Sequence, residues 1–167
     1  MSRFRIAAVS RGGQSAGTEE LAFDPGVNVV VGIKDTGKTT WLRILSFLLG
    51  DARTPRQALG RPIEQGFDWV SARLILETGE ELLLQRSWRK RDLASKISVG
   101  EELIEASEFS AWFARQLRIP EVTFPKGDPL VTDTWLALSW RMLFSHVLRD
   151  EDHWTEVVAD QSPSEQL

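Results

Sequence analysis

The chain has no cysteine among its 167 residues. Disulfides and thiolate metal sites are therefore excluded, and stability has to come from a packed core, which this length allows. No apolar run reaches the roughly 18 residues a membrane helix needs. The opening residues Met1-Ser2-Arg3-Phe4-Arg5 lead into a short strand-like run, not a long apolar signal core. No Asn-Lys-x-Asp tetrad occurs, which argues against a GTPase. The expectation is a single cytoplasmic domain without a membrane partner. Its 42% hydrophobic and 26% charged residues suit an ordinary globular protein.

Charge of one sign is also missing from one place. Residues 150–167 hold six acids (Asp150, Glu151, Asp152, Glu156, Asp160, Glu165) and no Lys or Arg. The net charge is −4, so the rest of the chain sums to +2. The body is nearly neutral, the tail acidic, and no broad basic footprint for nucleic acid is present. The two histidines, His146 and His153, stand near the acids at 150–152. A metal site there has no thiolate and no defensible ligand spacing, and an acidic surface turn is the plainer reading.

The pattern gives runs of strands broken by helices. Phe4 to Val9 reads as a strand, Arg11 to Gly17 as a glycine loop, and Glu19 to Phe23 as a second strand. After the turn Asp24-Pro25-Gly26, the β-branched run Val27-Asn28-Val29-Val30-Val31 suits a strand buried in a sheet. Gly32 to Gly37 is a loop. Trp41, Leu42, Leu45, Leu48 and Leu49 then recur at helical spacing from Lys38, and Gly50 stands where a C-terminal cap belongs. Asp51 to Gly66 is a loop with one helical turn at most. Trp69 to Glu77 and Glu80 to Trp88 predict a hairpin about Thr78-Gly79, and Ala94 to Val99 with Glu102 to Ile104 a weaker one. Ser107 is placed to cap a helix to Leu117, with Phe109, Trp112, Phe113 and Leu117 on one side. Thr132 or Asp133 is placed to cap another over Thr134 to Leu148. Trp112, Trp135 and Trp140 fall in helical apolar patterns and read as core.

One motif carries chemistry. Gly32-Ile33-Lys34-Asp35-Thr36-Gly37-Lys38-Thr39 matches G-x-x-x-x-G-K-[ST] without a gap. Glycines let such a loop wrap phosphates with its N–H groups inward, and the next helix adds free N–H groups and partial positive charge. Lys38 is expected on the β- and γ-phosphates, and Thr39 on Mg²⁺. Thr40 closes the cofactor-binding stretch 32–40. The ligands expected are ATP and Mg²⁺.

Other motifs are weaker, and each has a bland alternative. Ser10-Arg11-Gly12-Gly13-Gln14 looks like an ABC-type signature but precedes the phosphate loop, and a plain glycine loop explains it. Leu74-Ile75-Leu76-Glu77 mimics a Walker B strand, but Arg73 interrupts it and Thr78-Gly79 turns it into a hairpin. Arg86, Arg89, Lys90 and Arg91 around Trp88 would suit a nucleic-acid backbone, or simply a solvated hairpin end.

With the loop placed, the order of elements resembles the N-terminal half of the ATPase head of SMC-type and SbcC-type proteins. These are ABC-type ATPases with long coiled coils that act on DNA. The matching stretches are Phe4 to Val9, Leu21 to Phe23, Val27 to Val31, Gly32 to Thr39 and Phe47-Leu48-Leu49-Gly50. A β-rich stretch follows, similar to Trp69 to Ile104, then a helix and Q-loop-like stretch at about 133–153. Only the phosphate loop is a specific motif. The family's loop usually has Asn-Gly-Ser or similar where this chain has Lys34-Asp35-Thr36. Asp150 stands near the expected catalytic glutamine.

The resemblance implies an α/β P-loop NTPase lobe, residues 1–155. It would have a mixed sheet, an added antiparallel β subdomain at about 67–105, flanking helices, and an acidic tail at 156–167. It implies an ATP-binding half-head in which Lys38 and Asp150 serve catalysis. A C-terminal lobe or second head would supply the signature and Walker B acids. The chain would then be a fragment, a split subunit or an excised lobe. DNA would be a partner of the full assembly, in repair, chromosome maintenance or defence. The alternatives are a self-contained small P-loop kinase and a degenerate lobe that binds a partner.

Overall fold

The computed structural model of the chain describes residues 4–34, 36–125, 130 and 135–147. Strand β1 (Phe4–Gly13) turns through three residues into β2 (Gly17–Ala22). It pairs on its other edge with β3 (Trp69–Leu76), so the chain's first strand has a neighbour on both sides. From β3 the sheet grows by successive hairpins through β4 (Glu81–Ser87), β5 (Lys96–Val99) and β6 (Glu102–Glu105). The order is β2-β1-β3-β4-β5-β6, and every pairing is antiparallel. The β3–β4 turn works because Gly79 takes φ 85°, and its N–H donates to Leu76 O.

Helix α1 (Lys38–Leu48) lies against β1, β3 and β4, burying Ile44, Leu45, Phe47 and Leu48. Gly50, at φ 97°, ends the turn after it, as expected of a cap glycine. Two short helices follow, α2 (Pro55–Leu59) and α3 (Arg61–Gly66). The first starts at a capping box: Thr54 Oγ1 accepts from Gln57 N, and Gln57 Oε1 accepts from Thr54 N. Helix α4 (Ala106–Gln116) presents Phe109, Phe113 and, just past its end, Leu117 to the core. A two-stranded pair, β7 (Thr123–Phe124) with β8 (Leu136–Ala137), precedes α5 (Trp140–Val147).

The sheet has one apolar face. Val9, Ala72, Leu84 and Val99 lie in register across β1, β3, β4 and β5 and are all buried. The opposite face carries Ser10, Ser71, Gln85 and Ser98 in register. A sheet polar on one face and apolar on the other takes its helices on the apolar side, giving two layers. The aromatic part of the core joins α4 to α5: Phe113 stacks on Phe109 at 5.4 Å and meets Trp140 edge-on at 5.0 Å.

Several expectations are corrected. Among the described residues the sheet is antiparallel throughout, not mixed, and β3 to β6 belong to the same sheet as β1 and β2. The run Val27 to Val31 forms no strand and is exposed, with Val27 95% and Val31 86% accessible. β2 ends at Ala22, and the Asn28 side chain then clamps the turn by bonds to Asp24 N, Asp24 O and Gly26 O. The chain leaves the sheet edge there, and no described strand lies beside it. The 51–66 stretch holds two helices instead of one turn. The N-cap of α4 is Glu105 without a side-chain bond, not Ser107. The last helix starts later than expected, at Trp140, where Ser139 O accepts from Met142 N and Leu143 N. Trp135 therefore stands outside it, 37% exposed. No helix of the described residues is long and apolar enough to cross a membrane.

Candidate phosphate-binding site

The site begins where the exposed run meets α1. Gly37, directly before the helix, has φ 81° and ψ 18°, a left-handed conformation that a side chain disfavours. It turns the chain so that Lys38 opens the helix. The Lys38 ammonium folds back across the loop and donates to Gly32 O at 2.7 Å and Ile33 O at 2.6 Å. Thr36 Oγ1 donates to Ile33 O at 2.8 Å. Gly32, Ile33, Thr36 and Lys38 are thereby drawn together. Gly32 suits its place because a Cβ there would stand 2.9 Å from Thr36 Oγ1.

This arrangement leaves donors free. Among the described residues, no acceptor pairs with the backbone N–H groups of Gly32, Ile33, Lys34, Thr36 and Gly37. Helix α1 has no side-chain N-cap and no acid in its first turn. Its first N–H groups and the positive end of its dipole are therefore uncovered. Thr40 N donates to Gly37 O at 3.0 Å, which closes the first turn. Beside it the Thr39 hydroxyl has no hydrogen-bond partner among the described residues, so it is available to a cation's shell. Free donors, a positive helix end and one ammonium make a place for an anion with several oxygens.

A cleft of about 690 Å³ opens beside Lys38 and Thr39. Phe23, Val30 and Leu42 give it apolar walls, and Asp24, Asn28 and Arg5 its polar rim. Asp24 is the single carboxylate lining it among the described residues. Those residues hold no group of three His, Asp or Glu placed to bind a metal. One hydroxyl from Thr39 fits a magnesium ion whose other ligands are phosphate oxygens and water.

The remaining candidates fall elsewhere. Ser10 to Gly13 lie within β1, and Gly12 is needed because a Cβ would meet the Trp69 ring at 2.3 Å. The signature look-alike is thus a strand under a tryptophan. Glu77 is exposed in the β3–β4 turn and does not line the cleft. Asp35, Asp150, His153 and the side chains of Arg91 and His146 lie outside the described residues.

Arg86 is corrected outright: it is 1% exposed and cannot reach a nucleic acid. Its Nη1 donates to Phe47 O at 2.8 Å and Asp51 O at 2.6 Å, and its Nη2 to Ala94 O at 3.0 Å. The guanidinium also lies 3.5 Å over the Phe47 ring. Burial pushes its pKa down to about 10, against the pull of the Asp51 charge, so it stays protonated at neutral pH. Arg89 is half taken up, donating to Gln14 Oε1 and lying 3.6 Å from Asp68. Lys90 is exposed.

Arg86 shares parity with buried Leu84 and half-buried Leu82 on the inward face of β4, but the usual preference of a charged side chain for water outweighs that signal in the sequence. No sequence signal pointed to Arg11, whose guanidinium lies 4.8 Å from the Trp41 ring and 4.6 Å from Phe67. Asp51 and Arg141, which meet the same end of α1 as Arg86, were equally silent.

No family model matches the chain, and no curated protein matches it.

Proposed function

We propose that the chain is the nucleotide-binding lobe of an ATPase of the SMC and SbcC type, holding the phosphates of ATP and one Mg²⁺ on residues 32–40. The observation that carries this reading is the Lys38 ammonium, folded over the Gly32 and Ile33 carbonyls at an uncapped helix N-terminus. In this reading Lys38 neutralises the terminal phosphates, the loop amides hold the bridging oxygens, and Thr39 supplies one oxygen to Mg²⁺. The exposed run from Val27 to Val31 and the open cleft support a role for a second lobe that covers them. Asp24 is the one acid among the described lining residues, and in this reading the acids that hold the metal and activate water come from that lobe. The chain alone binds nucleotide weakly and does not turn it over.

Calorimetry with Mg·ATP on the wild-type chain and on Lys38→Ala tests this. Binding is expected for the first and loss of at least tenfold for the second. Equal affinities would overturn the reading. Phosphate release near 1 per second, abolished in Lys38→Ala, would overturn the half-site account, because rates of that order belong to complete enzymes.

A further inference from the structure

The two ends of α1 do different things. Its first turn carries Lys38 and Thr39, while its last turn is held by side chains from far along the chain. Arg141, in α5, donates from Nη1 to Ser46 O at 2.9 Å and Ser46 Oγ at 3.1 Å, and its Nη2 lies 3.9 Å from Asp51 Oδ2. Its backbone N–H donates to Ser110 Oγ in α4 at 3.1 Å. Aromatic contacts add to the α5 anchor: Trp140 meets Phe4 and Phe113, and Phe144 stacks on Trp140.

We infer that Arg141 is a positioning residue that ties α5 to the far end of the phosphate-loop helix, so that docking of α5 and occupancy of the loop strengthen each other. This rests on the nucleotide-binding reading above. An 11-residue helix is only about 16 Å long and is marginal by itself. Helix formation is cooperative, so order supplied at one end is shared by the other. Phosphates at the N-terminus and a guanidinium at the C-terminus also act on the same dipole with the same favourable sign. A ligand that orders α1 therefore costs less to bind when Arg141 already holds the last turn. The linkage is reciprocal: nucleotide in the loop must tighten α5, although no described side chain of α5 lines the cleft.

Hydrogen exchange on the full chain, with and without saturating Mg·ATP, tests this together with calorimetry on Arg141→Lys and Arg141→Met. Nucleotide is expected to slow exchange over residues 140–147 in the wild type. Arg141→Met is expected to bind at least about fivefold more weakly and to lose that slowing, and Arg141→Lys to recover part of both. Unchanged exchange over 140–147 at saturation, or wild-type affinity in Arg141→Met, overturns the linkage. If Arg141→Met does not fold, the wild-type exchange and Arg141→Lys still decide. A wild-type chain that binds no ATP overturns both readings. One that binds through Lys38 and is indifferent to Arg141 overturns the linkage alone.

Discussion

Two stretches of the chain are built from the same kind of residue and end up opposite. Val27 to Val31 is four valines and an asparagine, and it is exposed with no ladder partner. β3 mixes Ser71, Ala72 and Arg73 with its aliphatics, yet it is the most connected strand of the sheet, paired with both β1 and β4. Val70 and Leu74 are fully buried there. Strand propensity is a weak preference for a pleated, half-buried surface, and it is realised only where neighbours supply hydrogen bonds and a covering layer. β3 returns through helices that bring it back beside β1. The valine run leaves the sheet edge at the Asn28-clamped turn and pairs with no described strand. The body holds the stability, and in the proposed reading the loop after the valine run holds the chemistry, a division common where a rigid scaffold carries a binding loop.

The contrast can be broken most forcefully in the body. Phe113→Ala empties the point where α4, α5 and β1 meet, since Phe113 is fully buried against Phe4, Phe109 and Trp140. Denaturant titration is expected to show a loss of about 3–5 kcal/mol. Arg86→Met comes next. It leaves the carbonyls of Phe47, Asp51 and Ala94 without a donor inside the core, at an expected cost of about 3 kcal/mol. A loss below 1 kcal/mol would mean that the clamp is dispensable.

Asp51 gives a smaller effect with a pH signature. Burial alone would raise its carboxyl, but hydrogen bonds from the Arg53 side chain and backbone, with the charges of Arg53 and Arg141, hold it below 3.8. A depressed folded value means that the carboxylate stabilises the fold above 3.8 and loses that contribution as pH falls through the lower value. Wild type is expected to exceed Asp51→Asn by about 1–3 kcal/mol at neutral pH, with the gap closing in acid. A gap independent of pH would assign the effect to packing. The smallest change is expected in the valine run. Val31→Thr should shift stability by less than about 0.5 kcal/mol, because its side chain is already in water. Val70→Ala, of the same residue type, should cost about 2 kcal/mol. Equal losses would show that the valine run is packed.

Much of the body was legible. The β3–β4 hairpin about Thr78-Gly79, the β5–β6 hairpin about Gly100, and the apolar side of α4 all follow from short-range patterns that their own residues satisfy. The helix after the phosphate loop and the glycine ending it followed likewise. Three features were not legible. The early end of β2 depends on a side-chain clamp by Asn28, which no periodicity encodes. The late start of α5 depends on β8 pairing with β7 just before it, a contact between residues 123–124 and 136–137. The burial of Arg86 contradicts the usual preference of a charged side chain and is allowed because Phe47, Asp51 and Ala94 supply carbonyls to it.

Within the candidate site the division is the same. The sequence by itself determined which groups are available: the glycines Gly32 and Gly37, the Lys38 ammonium, the Thr39 hydroxyl and a helix to follow. These are covalent facts, and the loop's geometry is short-range, set within eight residues of its start. Tertiary structure alone decided what surrounds them. It left the preceding valines unpaired, opened the cleft beside Thr39, and brought Arg86 and Arg141 to the far end of α1 from 39 and 95 residues away. Such contacts depend on how loops close and layers stack, and neither propensity nor spacing carries that information.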